Sequence, residues 1–266
     1  MKGRVLIVAG SDSGGGAGIQ ADIKTVTMLD GFAMTAVTAL TAQNTTGVHG
    51  VLPIDPGFIR RQIEVVLDDI GADAVKTGML HDSEVIETVA AALADKARGV
   101  PLVVDPVMVA KGGAALIEPG AIEALKRLLI PSAAVLTPNL PEAEILAGGE
   151  ILTLPAMHEA ADTLLALGCG AVLLKGGHLP GDTVHDVLAT RGGHHVWHGA
   201  RIDSRHTHGT GCTLASAIAT GLAQGLDTEA AVERARDYVR HAIASAPGFG
   251  HGHGPLDHAH PLRRAR

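Results

Sequence analysis

The stretch 4-RVLIVAGSDSGGGAGIQADIKTVTMLDGFAMTAVTALTAQ-43 contains two short apolar runs with a longer amphipathic segment between them. The runs 4–9 and 34–43 have the length and composition of strands, whereas the segment near 17–30 has a helical pattern. A strand, a helix and a second strand in this order form a parallel β-α-β unit. Because apolar residues predominate in both runs, we expect strands that are covered on both faces of a sheet.

The same alternation continues along the chain. Further strands are predicted at 72–78, 101–105, 133–138 and 171–177, and further helices near 56–69, 83–97, 119–129, 141–147, 155–167, 211–224 and 228–245. The segment 183–202 differs, because 191-RGG-193 separates two short extended pieces and predicts a β-hairpin at the sheet edge. The pattern predicts an α/β fold of three layers, with a mostly parallel central sheet and helices on both faces. Without a visible linker, residues 1–266 are expected to form a single domain.

Composition narrows the class of protein. Hydrophobic residues make up 46% of the chain and charged residues 18%, which argues against disorder. The formal net charge of −7 argues against a broad nucleic-acid surface. No segment reaches the roughly 18 uninterrupted apolar residues of a membrane helix. Cys169 and Cys212 are the only thiols, so a disulfide framework is not expected. We therefore expect a cytoplasmic protein with neither a nucleic-acid nor a membrane partner.

Polar and glycine residues follow most of the predicted strands. Ligands of open α/β sheets bind beyond the carboxyl ends of the strands, so these positions are where a site is expected. They are Gly10-Ser11-Asp12, Gln43-Asn44, Gly78-Met79, Asp105-Pro106, Thr137-Pro138-Asn139 and Lys175-Gly176-Gly177.

A second candidate feature is 206-HTHGTGCT-213, where Gly209, Thr210 and Gly211 precede a predicted helix. Glycines allow a close backbone approach, and a helix start offers unpaired N–H groups, so the segment suits a phosphate. A plain helix cap explains the local pattern equally well, and the segment is not a Walker A loop. A thiol at a helix start is expected to have a lowered pKa, which makes Cys212 the better candidate for a reactive cysteine. Cys169 reads as a small buried hydrophobe.

The roles of several polar side chains at the predicted strand ends and helix starts can be interpreted in two ways. Asn139 and Glu142 are three residues apart at a helix start, and with Asp105 they suit a water-rich Mg²⁺ site. The same spacing is that of a capping box, and both readings can hold together. Asp22, in the predicted helix after the first loop, faces either the pocket or solvent. That glycine-rich loop, 10-GSDSGGGAGIQAD-22, does not match a Rossmann dinucleotide fingerprint.

Eight motifs in order resemble those of the hydroxymethylpyrimidine/phosphomethylpyrimidine kinases of thiamine biosynthesis, in the ribokinase-like superfamily. The matching stretches are 9-AGSDSGGGAGIQADIKT-25, 39-ALTAQNTTGV-48, 75-VKTGML-80, 104-VDPVMVAKGG-113, 136-LTPNLPEAEIL-146, 173-LLKGGH-178, 207-THGTGCTLASAIA-219 and 250-GHGHGPLDH-258. The resemblance implies a ribokinase-like fold and an ATP-dependent, magnesium-dependent kinase that phosphorylates hydroxymethylpyrimidine and then its monophosphate. It also implies a homodimer, which is common in the family.

The resemblance also implies roles for individual residues. The pyrimidine pocket would use Gly10, Asp22, Gln43, Met79 and Val107, with Asp22 and Gln43 bonding the aminopyrimidine edge. Asp105, Asn139 and Glu142 would hold Mg²⁺ and its waters, and Lys175 would lie near the phosphates. Gly209, Thr210 and Gly211 would form the anion hole, and Cys212 stands where most of the superfamily has a general-base aspartate.

Two other functions remain open from the sequence. One is a pyridoxal kinase of the same superfamily, although Gln43, Met79 and the low aromatic content of 2% favour the pyrimidine. The other is a non-catalytic binding protein that retains only the substrate pocket. The complete set of candidate magnesium and anion-hole residues argues against that reading.

Overall fold

A computed structural model gives the fold and describes residues 1–109, 113 and 116–264. Within these residues nine strands form one sheet. They are β1 Arg4–Asp12, β2 Phe32–Asn44, β3 Gly47–Pro53, β4 Ala74–Thr77, β5 Leu102–Val104, β6 Val135–Leu136, β7 Ala171–Lys175, β8 Thr183–Thr190 and β9 Gly193–Ala200. The order across the sheet is β3-β2-β1-β4-β5-β6-β7-β8-β9.

Eight of the nine described α-helices lie close to predicted positions, and α9 was not predicted. The nine are α1 Gly18–Met28, α2 Pro56–Asp69, α3 Ser83–Lys96, α4 Pro119–Ala124, α5 Leu140–Ala147, α6 Leu154–Leu165, α7 Thr210–Ala223, α8 Thr228–Ala244 and α9 His260–Arg264. The predicted helix 119–129 continues past α4 as a π-helical segment, Leu125–Leu129, and a 3₁₀ turn, Ile130–Ser132, follows. No described helix is both long and apolar enough to pass through a membrane.

The six central strands, β2-β1-β4-β5-β6-β7, are parallel to one another. At the two edges of the sheet, β3 pairs antiparallel with β2 and β8 pairs antiparallel with β7. The predicted hairpin is confirmed: β8 and β9 pair from Thr183↔Ala200 to Thr190↔Gly193 at one edge. The opposite edge strand, β3, was not predicted. Its sequence, GVHGVLP, has two glycines and a proline, which are typical of an edge strand rather than a central one.

Alternate residues of the central strand β1 face two different hydrophobic layers. Leu6 and Val8 belong to the core that packs against α2 to α6, whereas Val5, Ile7 and Ala9 belong to the core under α1, α7 and α8. Successive strand side chains point to opposite faces, so an all-apolar strand requires cover on both. The predicted three-layer α/β fold with a mostly parallel sheet is therefore confirmed.

Helix starts are fixed by local chemistry on both sides of the sheet. Asp55, Asp82 and Asp227 each cap a helix by accepting a backbone N–H three residues later. Two other helices begin differently. Asn139 precedes α5 as part of a capping box, and Gly209 precedes α7 without a side-chain cap.

Candidate active site

A cavity of about 650 Å³ lies at the carboxyl ends of the parallel strands, where the sequence predicted a site. Its lining includes residues from every predicted strand end. Those that the sequence singled out and that line it are Gly10, Gln43, Met79, Asp105, Val107, Asn139, Glu142, Lys175, Gly209, Thr210, Gly211 and Cys212. Ala110, Lys111 and Gly112, from the motif 104–113, lie outside the described residues.

The start of α7 points into the middle of this cavity. Gly209 has a φ of 84°, and a side chain there would overlap the carbonyl oxygen of Gly16 in the first loop. Only glycine satisfies both conditions, so the loop and the helix start touch at backbone level. The first turn of a helix leaves N–H groups without intrahelical acceptors, and here these belong to residues on the cavity wall. Of the two readings of this segment, the geometry therefore favours an anion site over a plain helix cap.

A lysine and two carboxylates surround the same helix start. The Lys175 Nζ lies 3.3 Å from Asp105 Oδ1, and both groups lie beside Gly211. Burial alone would lower the pKa of Lys175, but Asp105 and Glu142 outweigh it, so the pKa is raised and the ammonium is retained. A cation at a helix start makes this part of the cavity suited to a phosphate group.

Asn139 and Glu142 form a capping box, as their spacing in the sequence predicted. Asn139 Oδ1 accepts the Glu142 N–H at 2.9 Å, and Glu142 Oε2 accepts the Asn139 N–H at 2.8 Å. Burial raises the pKa of Glu142 to about 7, with Lys175 lowering it and Asp105 raising it. Two buried carboxylates this close favour a bound cation, because a cation relieves their desolvation and repulsion.

The donor set is suited to Mg²⁺ held largely through water. Asp105 and Glu142 offer carboxylate oxygens, and Asn139 offers an amide oxygen, all on the cavity wall. Among the described residues, no three or more His, Cys, Asp or Glu side chains are grouped closely enough to hold a metal directly. A hydrated magnesium ion that also binds substrate phosphates does not need such a group.

The expectation of a lowered pKa for Cys212 is wrong. Cys212 is at the start of α7, but burial raises its pKa to about 12, and the carboxylates of Asp22 and Asp105 raise it further. Lys76 and the Gly18 N–H act in the opposite direction and do not compensate. The resting side chain is therefore a neutral thiol on the cavity wall.

The structure also corrects the prediction for Asp22, which is fully buried and does not belong to the cavity lining. Both of its carboxylate oxygens lie 3.0 Å from Lys76 Nζ, and Oδ1 also accepts a hydrogen bond of 2.7 Å from Ser216. Partners from β4 and α7 thus use acceptor positions on both carboxylate oxygens. Asp22 connects α1 to the sheet and to α7 behind Cys212, and it does not line the described cavity.

The other predicted pocket residues form an apolar slot with one amide. Met79 packs with Ala39 and Leu116 in a small cluster that Val107 also touches. Gly10 leaves space for Met79, since a Cβ at position 10 would lie 3.2 Å from its sulfur. Gln43 lies at the polar edge of this slot. The arrangement suits a small flat ring with polar atoms on one side.

Two residues of this region were missed as individual candidates. Asp12 is buried and accepts N–H groups from Gly14, Gly16 and Ala17, so it shapes the first loop. His208 is buried beside it, with Nε2 3.0 Å from Asp12 Oδ2. Both sit inside quoted motifs, and a charged residue that ends a buried strand was the available signal for Asp12.

The far half of the cavity has an apolar wall that suits a nucleotide base. It comes from α5, the hairpin β8–β9 and α8, and its members are Ile145, Val184, Ala200, Ile202, Val239 and Ile243. Arg236 lies on the same side and donates to Asp186 Oδ2 at 2.7 Å, with its guanidinium 5.3 Å from the ring centre of Trp197. The hairpin therefore contributes to the site as well as closing the sheet edge.

The family model for phosphomethylpyrimidine kinase matches residues 12–257. The chain is 54% identical to the thiamine biosynthesis bifunctional protein ThiED of Geobacter sulfurreducens, over 97% of this chain and 52% of that protein, so it spans about half the length of that relative. It is 47% identical to the hydroxymethylpyrimidine/phosphomethylpyrimidine kinase of Bacillus subtilis, over 96% of this chain and 94% of that protein. Among solved structures, the ADP complex of Bacillus subtilis pyridoxal kinase superimposes with a TM-score of 0.91 at 39% identity, covering 99% of both chains.

Proposed function

The chain belongs to the phosphomethylpyrimidine kinase family, and we propose that it transfers phosphoryl groups from ATP to hydroxymethylpyrimidine and then to the resulting monophosphate, in thiamine biosynthesis. The observation that carries the proposal is one cavity with a flat apolar slot at one end and an apolar nucleotide wall at the other. The start of α7, with Lys175 beside it, lies between them. A phosphoryl donor and acceptor bound in these halves would meet at the helix start.

The backbone at Gly209, Thr210, Gly211 and Cys212 is the proposed anion hole. Phosphoryl transfer passes through a loose transition state, so positioning and charge stabilisation provide most of the catalysis. N–H groups fixed by the contact between Gly209 and Gly16 can donate to the equatorial oxygens without reorganising. Lys175 adds a positive charge beside them.

Cys212 is the residue proposed to orient the acceptor hydroxyl. Its neutral thiol accepts a hydrogen bond from that hydroxyl, and as the new P–O bond forms and the P–O bond to the ADP leaving group breaks, the hydroxyl proton passes to an oxygen of the transferred phosphoryl group or to solvent. Because burial raises the pKa of Cys212 to about 12, early removal of the proton by a resting thiolate is not part of the proposal. Late proton transfer agrees with a loose transition state, in which the attacking oxygen gains little positive charge until the bond has formed.

Asp105, Asn139 and Glu142 are the residues proposed to hold Mg²⁺. The ion would supply charge neutralisation for the nucleotide phosphates. The buried, mutually repelling carboxylates Asp105 and Glu142 support this assignment. The starts of the two helices would then have different roles. The start of α5 presents the Glu142 carboxylate, whereas the start of α7 presents backbone N–H groups.

Product analysis by mass tests the function. Purified protein incubated with Mg-ATP and hydroxymethylpyrimidine is expected to yield the monophosphate first and the pyrophosphate later. ADP release without a phosphorylated pyrimidine would contradict the proposal, and no ATP consumption at all would favour a non-catalytic binding protein.

Pyridoxal kinase activity is the second candidate, because the structure resembles a pyridoxal kinase over its full length. The higher identity to the pyrimidine kinase of the same organism, 47% against 39%, supports the pyrimidine as the main acceptor. Turnover of both acceptors side by side, at equal Mg-ATP, is expected to give the larger kcat/KM for hydroxymethylpyrimidine. A larger value for pyridoxal would reverse the assignment.

We further propose that residues 1–266 form a single kinase domain, that the enzyme is a homodimer and that it is cytoplasmic. The exposed apolar side chains of Leu40, Leu52 and Phe58, on β2, β3 and α2, support an interface at that sheet edge. The unpaired thiols of Cys169 and Cys212 and the use of ATP support the location. Light scattering on the purified protein is expected to give twice the mass of 27.2 kDa; a monomer mass would exclude the dimer.

A further inference from the structure

The side chain of His208 lies between Asp12 and Gln43 in the acceptor half of the cavity. Its Nε2 is 3.0 Å from Asp12 Oδ2 and 3.3 Å from the Gln43 amide nitrogen. Only 7% of His208 is exposed, and its ring packs so closely on Gly16 that a Cβ at position 16 would overlap it. The ring is therefore held in place by packing as well as by hydrogen bonds.

The position of Asp12 determines where the imidazole proton is. Burial on its own would raise the pKa of Asp12, but hydrogen bonds from His208, Ala17 and Gly14 outweigh it, so the pKa is lowered and the group is a carboxylate. A carboxylate only accepts hydrogen bonds. His208 Nε2 must consequently carry a hydrogen, and it has no lone pair for a donor from Gln43. The amide atom of Gln43 that faces His208 has to be its oxygen.

Thr41 is compatible with the same orientation. Its hydroxyl has a single hydrogen and two partners within reach, Ser11 O at 2.9 Å and the Gln43 side chain at 3.2 Å. When the hydrogen goes to Ser11, the shorter contact, the hydroxyl oxygen accepts from the Gln43 amide nitrogen. The orientation set by His208 therefore leaves Thr41 satisfied, and such partners are how amide oxygen and nitrogen are told apart.

We propose that His208 is a positioning residue that locks the Gln43 amide with its oxygen towards His208 and its nitrogen towards Thr41, and so sets acceptor specificity. Each amide atom keeps one further site for a ligand: a lone pair on the oxygen and an N–H on the nitrogen. A ligand edge with a ring nitrogen beside an amino group offers the complementary acceptor and donor. Pyridoxal presents a hydroxyl and an aldehyde instead. This inference rests on the proposed kinase function.

Two substitutions separate the polar role of His208 from its packing role. His208→Phe retains a ring against Gly16 but has no N–H group, so Gln43 is free to rotate. His208→Gln retains a nitrogen with two hydrogens, which can serve both Asp12 and the Gln43 oxygen. We expect His208→Phe to raise the KM for hydroxymethylpyrimidine about tenfold, the effect of one misplaced hydrogen bond, and to leave the KM for ATP unchanged. Its preference for hydroxymethylpyrimidine over pyridoxal falls by a similar factor, and His208→Gln stays close to wild type.

An unchanged KM for hydroxymethylpyrimidine in a folded His208→Phe variant would overturn the inference. Equal rises in both KM values, without recovery in His208→Gln, would also overturn it, since they indicate a general structural role. Nitrogen-15 NMR of the wild-type protein provides a test that needs no variant: His208 Nε2 is expected to carry a proton, and a bare Nε2 would refute the orientation. Inactive wild-type protein would instead count against the proposed function, and the NMR result would still decide the orientation.

Discussion

Replacing Gly209 by alanine perturbs the proposed anion hole at one carbon atom. The residue has a φ of 84°, where a non-glycine residue costs about 1–2 kcal/mol. The added methyl group would also overlap the Gly16 carbonyl oxygen, so the start of α7 or the first loop has to move. Either shift displaces the N–H groups that we assign to the transferring phosphoryl group.

Gly225 is a matched control at the other end of α7. It has the same φ of 84°, but a Cβ there meets nothing within 4 Å. Gly225→Ala therefore measures the backbone cost alone. For a chain of this size, a loss of about 1 kcal/mol corresponds to a fall in Tm of about 2–4 °C. Gly209→Ala should lower Tm by at least as much.

Turnover distinguishes the two variants. Losing one well-placed donor to a transition-state oxyanion costs about 10²–10³ in kcat, and we expect a loss of this size for Gly209→Ala. Gly225→Ala should retain wild-type kcat. Steady-state kinetics with Mg-ATP and hydroxymethylpyrimidine, together with thermal unfolding, provide both quantities. A folded Gly209→Ala enzyme with kcat within about threefold of wild type would refute the role of this helix start.

Three more predictions concern the residues behind this helix start. Cys212→Ala should lower kcat by about 10²-fold or more with little change in the substrate Kd, measured by kinetics and calorimetry; near wild-type turnover would remove Cys212 from the mechanism. Because the pKa of Cys212 is raised to about 12, its thiolate fraction should increase tenfold per pH unit, so iodoacetamide labelling of Cys212 should accelerate steadily from pH 7 to 10; a plateau near pH 8 would contradict the raised pKa. Lys76→Met should cost about 3–5 kcal/mol of unfolding free energy by leaving Asp22 unpaired, and adding Asp22→Asn should recover part of it in denaturant titrations. Equal stability of the single and double variants would mean that the buried pair is not coupled.

The sequence was sufficient to predict which strand-end residues line the cavity, but not which side chains contact one another there. Asp105, Asn139 and Lys175 follow apolar runs, and the parallel sheet brings such positions together without reference to side-chain detail. The edge strand β3 was missed because its glycines and proline resemble a loop. Most residues of β3 are exposed, so its apolar pattern is weaker than that of a strand covered on both faces.

The ion pair of Asp22 and Lys76 is a long-range contact that the hydrophobic periodicity of the sequence cannot predict. A carboxylate on a helix reads as pocket-facing or solvated, whereas Asp22 is fully buried against Lys76, 54 residues away. Lys76 lies among apolar neighbours in the predicted strand 72–78, but it was not singled out there as a buried charge that needs a partner. Only the crossing of α1, β4 and α7 brings these groups together, and this is tertiary information.

The error for Cys212 has a similar origin. A helix start lowers a thiol pKa when solvent or cations surround it, and the local sequence showed only the helix. The structure adds burial and two nearby carboxylates, and these outweigh the helix and Lys76. For Asn139 and Glu142, by contrast, the local spacing was sufficient to predict the capping box that the structure contains.

A crystal structure with a non-hydrolysable ATP analogue, Mg²⁺ and hydroxymethylpyrimidine is the most direct test of phosphoryl transfer at the start of α7. We expect oxygens of the terminal phosphate about 3 Å from the backbone nitrogens of Gly211 and Cys212, with the acceptor hydroxyl beside the Cys212 sulfur. A terminal phosphate outside hydrogen-bonding reach of residues 209–212 would contradict the central claim.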